Sequence, residues 1–383
     1  MEDYKDSIEV NIYKEDEDTW ELLREGSDKG ETDAKRRYHE LKKEIQKTII
    51  GNDELVDALS LALTSSEGVS DLDTEEFECY PRQNLFIIGG TGTGKTFTVK
   101  IAAKASGREF VDVNLAEVSA VGYVGKDLET VLATKAAKSK PERWKRAVFL
   151  FDELDKIVMT TDEKNRERTF DLIPELLKLI EGETMSVKLD KEKRVEVSTR
   201  DMVFIFAGAF EDVNKTVLER LGRNKRIGFN SYDSTGEGEA CTKNDDNILL
   251  EVEASDLEKY GVSRQFLGRM NRIIVTSPMT EEGYQNILMY SKDSALLKQK
   301  RLLRDVYGID LSISDDAIKT IAEDCTEMKV GARGLNSIIN TTVSKGLAKA
   351  MDCNNVSVMR IVPGEESGVI CEIKQNSSKC KNH

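Results

Sequence analysis

One run of eight residues limits this chain more than any other: Gly89-Gly90-Thr91-Gly92-Thr93-Gly94-Lys95-Thr96, a GxxxxGK(S/T) pattern. The apolar stretch just before it, Asn84-Leu85-Phe86-Ile87-Ile88, has the make-up of a buried parallel strand. Phe97 to Ala105 reads as the helix that follows. Glycines let a backbone wrap close to a polyphosphate, so that its N–H groups point at the oxygens. Lys95 then reaches the terminal phosphates, the Thr96 hydroxyl ligates magnesium, and the helix start adds its positive end. Chance gives such a pattern in a chain of this length with a probability of roughly 1–2%, and the strand–loop–helix setting lowers that further. The sequence predicts an ATP site at Gly89, Gly90, Thr91, Gly92, Thr93, Gly94, Lys95 and Thr96, with Mg2+ as its companion ion.

Such a loop needs an acidic partner at the end of a nearby strand. Ala147-Val148-Phe149-Leu150-Phe151 is apolar and ends in Asp152-Glu153, placing two carboxylates where open α/β sheets hold ligands. Asp152 and Thr96 are the expected metal ligands. Glu153 is the expected general base, orienting and deprotonating the attacking water. A glutamate directly after the metal aspartate fits hydrolysis by water, not transfer to another acceptor.

Strand candidates at 109–113 and 202–206 alternate with helical stretches, which predicts a parallel sheet covered on both faces. Residues 186–189 and 194–197 alternate around Asp190–Lys193 like a surface hairpin. After Pro278 the pattern is mainly helical, over 281–302, 314–326 and 334–351, closed by strand-like runs at 356–362 and 368–373. The expected organisation is a charged arm at 1–40, a large α/β domain at 41–277, a smaller helical domain at 278–375 and a polar tail at 376–383. Asn230 to Asn247 is polar and aperiodic, and loops of that length tend to be functional or disordered.

The net charge of −14 argues against a protein built to grip nucleic acid phosphates. No apolar run approaches the roughly 20 residues that span a bilayer, and Met1–Asp6 is acidic, unlike a secretory leader. The six cysteines are far apart and include no CxxC pair, so no zinc site is expected and a cytoplasmic location is. The two histidines, His39 and His383, leave no credible Ser-His-Asp or Cys-His peptidase set.

Seven segments then fall in a recognisable order: Gly89–Thr96, Gly122-Tyr123-Val124-Gly125, Phe151–Ile157, Leu177–Gly182, Gly208-Ala209-Phe210, Phe266-Leu267-Gly268-Arg269 and Gly331–Leu335. Together they resemble the ClpX family of AAA+ protein unfoldases, over about Ile49 to Met351. The resemblance implies an AAA+ P-loop fold with a small C-terminal domain, and a homo-hexamer that threads polypeptides through its pore into a ClpP-type peptidase. It implies that Arg269 is an arginine finger serving a neighbouring subunit, and that Arg333 is the sensor arginine of the small domain. Ile49 and Ile50 would pack on adenine, Gly122-Tyr123-Val124-Gly125 would grip substrate in the pore, and Ile227-Gly228-Phe229 would dock the peptidase. An aromatic ring beside a branched apolar side chain can press on any extended polypeptide without hydrogen-bond selection, and flanking glycines let such a loop swing.

The match has gaps. The family's zinc-binding N-terminal domain has no counterpart, residues 158–164 lack the usual second pore loop, and the basic entrance loop is replaced by the hairpin around Asp190–Lys193. No Asn or Thr near Ala207-Gly208 is assigned as a γ-phosphate sensor. Two other readings stay open: a remodelling chaperone without a peptidase, and a P-loop ATPase acting on nucleic acid. An HslU-like protein would need a long insertion between Tyr123 and Asp152, for which there is no room.

Overall fold

Four consecutive apolar residues with no alternation, all buried, mark a strand packed on both faces, and Leu85–Ile88 is an inner strand of the sheet. The structure, a computed structural model, describes residues 30–70, 80–118, 128, 131–132, 135, 141–158, 163–182, 184–188, 194–222, 245–328, 331–353, 355–364 and 368–375.

In chain order the large unit holds α1 (Gly30–Gln46), α2 (Asp53–Ser70), β1 (Leu85–Ile88), α3 (Lys95–Ala105), β2 (Phe110–Asn114), β3 (Val148–Asp152), α4 (Leu154–Val158) and α5 (Glu163–Glu181). It continues with β4 (Thr184–Lys188), β5 (Arg194–Ser198), β6 (Val203–Gly208), α6 (Val213–Arg220), α7 (Ala254–Tyr260), α8 (Arg264–Leu267) and β7 (Arg272–Val275). The remainder is α9 (Glu281–Tyr290), α10 (Ala295–Leu302), β8 (Asp310–Ile313), α11 (Asp315–Glu327), α12 (Gly331–Met351), β9 (Val356–Pro363) and β10 (Val369–Gln375).

Five strands form one parallel sheet in the order β2-β3-β6-β1-β7. The period-two geometry of a strand divides each one between two cores. On one face Leu85, Ile87, Val148, Leu150, Val203 and Ile205 pack against α1, α2 and α3. On the other, Phe86, Phe149, Phe151, Phe204 and Phe206 join the cluster that includes Leu154, Leu176 and Phe266. The aromatic face is continuous: Phe151 stacks on Phe206 at 5.1 Å, and Phe206 meets Phe266 edge-on at 4.6 Å. β6 lies between β1 and β3, and because all three run parallel their C-terminal ends open on the same side of the sheet.

The apolar clusters of the sheet end at Ile274 and Val275, and a separate cluster built on α9–α12 begins at Met279. That smaller unit carries a three-stranded sheet, β10-β9-β8, with β8 parallel and β10 antiparallel to β9. The hairpin pairs Thr184–Lys188 with Arg194–Ser198, antiparallel, while the residues of its turn lie outside the described ones.

Three expectations shift. Helix α1 begins at Gly30 and runs through residue 40, with Ile45 fully buried at its end, because its apolar residues pack on α2. The stretch 281–302 is two helices, parted at Ser291, with Ser294 Oγ capping α10 through the Leu297 N–H at 3.2 Å. The short strands β7 and β8 were not anticipated. No helix among the described residues is long and apolar enough to cross a membrane.

Candidate functional site

β1 ends in a turn that requires glycine at several positions. Gly92 and Gly94 have φ of +85° and +86°, the left-handed region closed to most side chains. A Cβ on Gly89 would lie 1.9 Å from Thr276 Oγ1. α3 starts at Lys95, whose side chain is buried and donates to the Gly90 carbonyl at 3.0 Å and to the Gly89 carbonyl. Burial holds the Lys95 ammonium below the usual lysine range, while Asp152 and Asp155 pull it back up and Arg333 pushes it further down. A cation folded onto loop carbonyls, short of a full counter-charge, is suited to an arriving polyphosphate.

The acidic strand end meets this loop directly. Thr96 Oγ1 donates to Asp152 Oδ2 at 2.6 Å, joining α3 to β3 across the crevice. The other oxygen, Asp152 Oδ1, accepts the Glu153 N–H at 2.9 Å. Glu153 sits at φ +62°, a conformation that costs a non-glycine residue on the order of 1 kcal/mol and occurs preferentially at working sites. One hydroxyl and one carboxylate in contact form the all-oxygen donor set that magnesium takes, so these residues fit the ion.

Asp155 supports the turn from below. It is 3% exposed, and its Oδ1 accepts the Ala209 N–H at 3.2 Å, tying α4 to the end of β6. Gly208 is needed there, since a Cβ would come 2.7 Å from Asp155 Oδ1 and 2.5 Å from the Phe210 ring.

Two segments close on the loop from outside the sheet. Asn52, at φ +54°, donates from Nδ2 to the Thr93 carbonyl at 2.7 Å. It follows Ile49, which is buried, and Ile50, which is half-buried. The same segment is tied to the small unit: Ser291 Oγ donates to the Thr48 carbonyl at 2.6 Å and Lys292 N–H to the Lys47 carbonyl at 3.2 Å. From the small unit, α12 presses its first residue on the loop, for a Cβ on Gly331 would lie 2.5 Å from the Gly92 carbonyl oxygen. Arg333, exposed in that first turn, is the cation whose field lowers Lys95.

Arg269 is elsewhere. Its carbonyl accepts Asn84 Nδ2 at 3.3 Å, and the Asn271 N–H donates to the Asn84 carbonyl at 2.7 Å, which puts it at the start of β1 and β7. Its guanidinium donates from Nε to Glu181 Oε1 at 2.6 Å and from the neighbouring nitrogen to the Gln265 carbonyl at 2.8 Å. The structure thus gathers Ile49, Gly89–Thr96, Asp152, Glu153 and Arg333 at one sheet edge and leaves Arg269 at the other. Gly122, Tyr123, Val124 and Gly125, and Ile227, Gly228 and Phe229, lie outside the described residues.

Asn52, Asp155 and Thr276 border the site without having been singled out in the sequence. For Asn52 the Gly-Asn dipeptide was an available turn signal, and Asp155 lies within the Phe151–Ile157 segment. Nothing about Thr276 distinguishes it locally.

Comparison with known proteins gives a consistent picture. Residues 85–231 match the family model of the ATPase family associated with various cellular activities (AAA). Residues 281–359 match that of the C-terminal, D2-small domain of ClpB protein. The chain is 30% identical over 319 residues to the ATP-dependent Clp protease ATP-binding subunit ClpX of Porphyromonas gingivalis, covering 79% of this chain and 75% of that relative. It is also 30% identical over 323 residues to the ClpX subunit of Bacteroides thetaiotaomicron, covering 79% and 74%.

Proposed function

The chain belongs to the ClpX family of AAA ATPases, and from that premise we propose that it is the motor of a ring that unfolds and threads polypeptides. It is an ATPase of the Clp unfoldase type. The finer reading concerns how its residues share the work.

The meeting of Lys95, Thr96, Asp152 and Glu153 at the end of β1 and β3 carries the catalytic part. Backbone N–H groups of Gly89–Thr96 hold the phosphates, and Lys95 turns from the loop carbonyls toward them. Thr96 and Asp152 would hold Mg2+, which when bound supplies neutralisation of phosphate charge. Glu153 orients water and takes its proton. Ile49 and Ile50 flank the adenine, and Arg333 brings the small unit's charge to the same phosphates.

Arg269 supports assembly. Five residue steps of extended chain lead from Asn84 to Gly89, about 16 Å at the usual rise, so Arg269 cannot reach its own phosphate loop. An arginine facing outward at that edge serves the site of a neighbouring copy, as closed heterologous rings require. We assign the small unit to 278–375 and the large unit to the residues before it from α1 (Gly30–Gln46) on, since α1 packs into its core and moves the start back from the expected 41. Tyr123 and Val124 grip the substrate within Gly122–Gly125, and Ile227, Gly228 and Phe229 dock a ClpP-type peptidase.

The experiment begins with Glu153→Gln, which retains ATP binding and loses turnover; unchanged turnover sinks the catalytic assignment. ATPase and degradation of a tagged folded protein are then followed with and without added ClpP, with Ile227→Ala/Phe229→Ala as the control. Degradation that survives this double change refutes the docking role. Stimulation by DNA but not by unfolded protein would instead favour a nucleic acid motor.

A further inference from the structure

Beneath the phosphate loop two threonine hydroxyls meet. Thr93 Oγ1 lies 2.8 Å from Thr276 Oγ1, and both residues are buried. Two hydroxyl protons can go to two backbone carbonyls or to each other's oxygen. Thr93 Oγ1 is 3.0 Å from the Gly90 carbonyl oxygen, Thr276 Oγ1 is 3.3 Å from that of Ile88, and either hydroxyl can donate to the other. The Ile88 carbonyl already accepts the Thr276 backbone N–H at 2.7 Å. The shorter pair of bonds therefore runs from Thr276 to Thr93 and from Thr93 to the Gly90 carbonyl. That same carbonyl accepts Lys95 Nζ at 3.0 Å.

An unbroken path thus joins Lys95 to Thr276. Thr276 stands directly before Ser277-Pro278, the connection from β7 to α9 that separates the cores of the two units. The approach is close enough that Gly89 has no room for a Cβ beside the Thr276 hydroxyl.

We propose that Thr276 is a positioning residue for ATP, fixing the Gly90 carbonyl through Thr93 and tying the loop to the connection between the units. The proposal rests on the reading of this loop as the ATP site. When Lys95 turns to a phosphate, the Gly90 carbonyl keeps Thr93 as its donor, and the Thr276 hydroxyl keeps Thr93 turned that way. Without it Thr93 has lost its own donor, and its buried oxygen is left half-satisfied.

The test measures mant-ATP binding, ATP turnover against ATP concentration, and melting temperature for wild type, Thr276→Val, Thr276→Ser, Thr93→Val and the Thr93→Val/Thr276→Val double variant. Thr276→Val keeps the shape and removes the hydroxyl. It is expected to raise both the mant-ATP Kd and the KM about five- to tenfold, with kcat changed less than twofold, and Thr276→Ser restores both. The double valine variant raises Kd by less than the product of the two single effects. Thr93→Val reads the same bond from the other partner should Thr276→Val melt early. Wild-type affinity in Thr276→Val, a serine variant no better than valine, or single effects that multiply would each overturn the proposal. A wild-type chain that neither binds mant-ATP nor turns over ATP would overturn the ATP-site reading itself, and with it this one.

Discussion

At Gly331 a methyl group would lie 2.5 Å from the carbonyl oxygen and 2.7 Å from the Cα of Gly92, and φ is +63°. Gly308 has nearly the same φ, +67°, with nothing within 4 Å of a Cβ built there. The pair separates backbone strain from contact. Gly308→Ala is expected to lower stability by about 1 kcal/mol and leave nucleotide affinity alone. Gly331→Ala carries the same strain and also forces α12 off the phosphate loop, so mant-ATP affinity should fall about tenfold or more. Urea unfolding and a nucleotide titration on both variants check this, and equal affinities would mean that the Gly331 contact does not matter. The glycine loop and the Asp152-Glu153 pair were legible in the sequence because phosphate binding demands fixed residue types at fixed spacing. Asn52, Asp155 and Thr276 were not, because each is an ordinary polar residue that reaches the site across 41, 54 and 183 residues. Their role exists only after folding.

Among the elements, α6 and α7 are held together by charge. Asp256 is fully buried, and its two oxygens accept Arg220 Nε at 3.1 and 3.0 Å. Asp256 Oδ2 also accepts the Glu253 N–H at 3.0 Å, and Arg220 reaches Glu253 Oε1 at 3.0 Å. Removing the carboxylate takes from Arg220 its buried partner but leaves it Glu253 and the Glu251 carbonyl, so Asp256→Ala should destabilise the large unit by roughly 2 kcal/mol. A denaturation midpoint within error of wild type would refute that. A milder case is Ser314, whose Oγ caps α11 through the Ala317 N–H at 3.2 Å. Its replacement by alanine should cost about 1 kcal/mol in urea unfolding. The long periodic helices and the continuous apolar strands β1, β3 and β6 were readable because their patterns outlast the noise of single residues. β1 is also four residues but all of them are apolar and buried, whereas β7 opens on the exposed Arg272 and β8 on the exposed Asp310, so neither stands out as an unbroken apolar run.

For the molecule as a whole, the parallel sheet covered on both faces was legible in the alternation of strands with helices, but its aromatic face and the placing of Arg269 were not. A sequence carries no statement of which sheet edge a residue occupies; that comes from the order of the strands and the direction of β1 and β7. The placing has a consequence for assembly. If each site takes its loop and Glu153 from one copy and Arg269 from the next, Arg269→Ala and Glu153→Gln are both inactive as pure proteins for different reasons. An Arg269→Ala copy still has a complete loop and base, and a Glu153→Gln copy still has its arginine. Mixed rings then contain junctions where an intact Glu153 faces an intact Arg269. With random mixing of equal amounts, about a quarter of junctions are whole. ATPase measured on the mixture should rise well above that of either pure variant. An arginine acting within its own chain allows no such recovery, since no copy in the mixture holds both residues, and a mixture as inactive as its parts would place the function of Arg269 within one subunit.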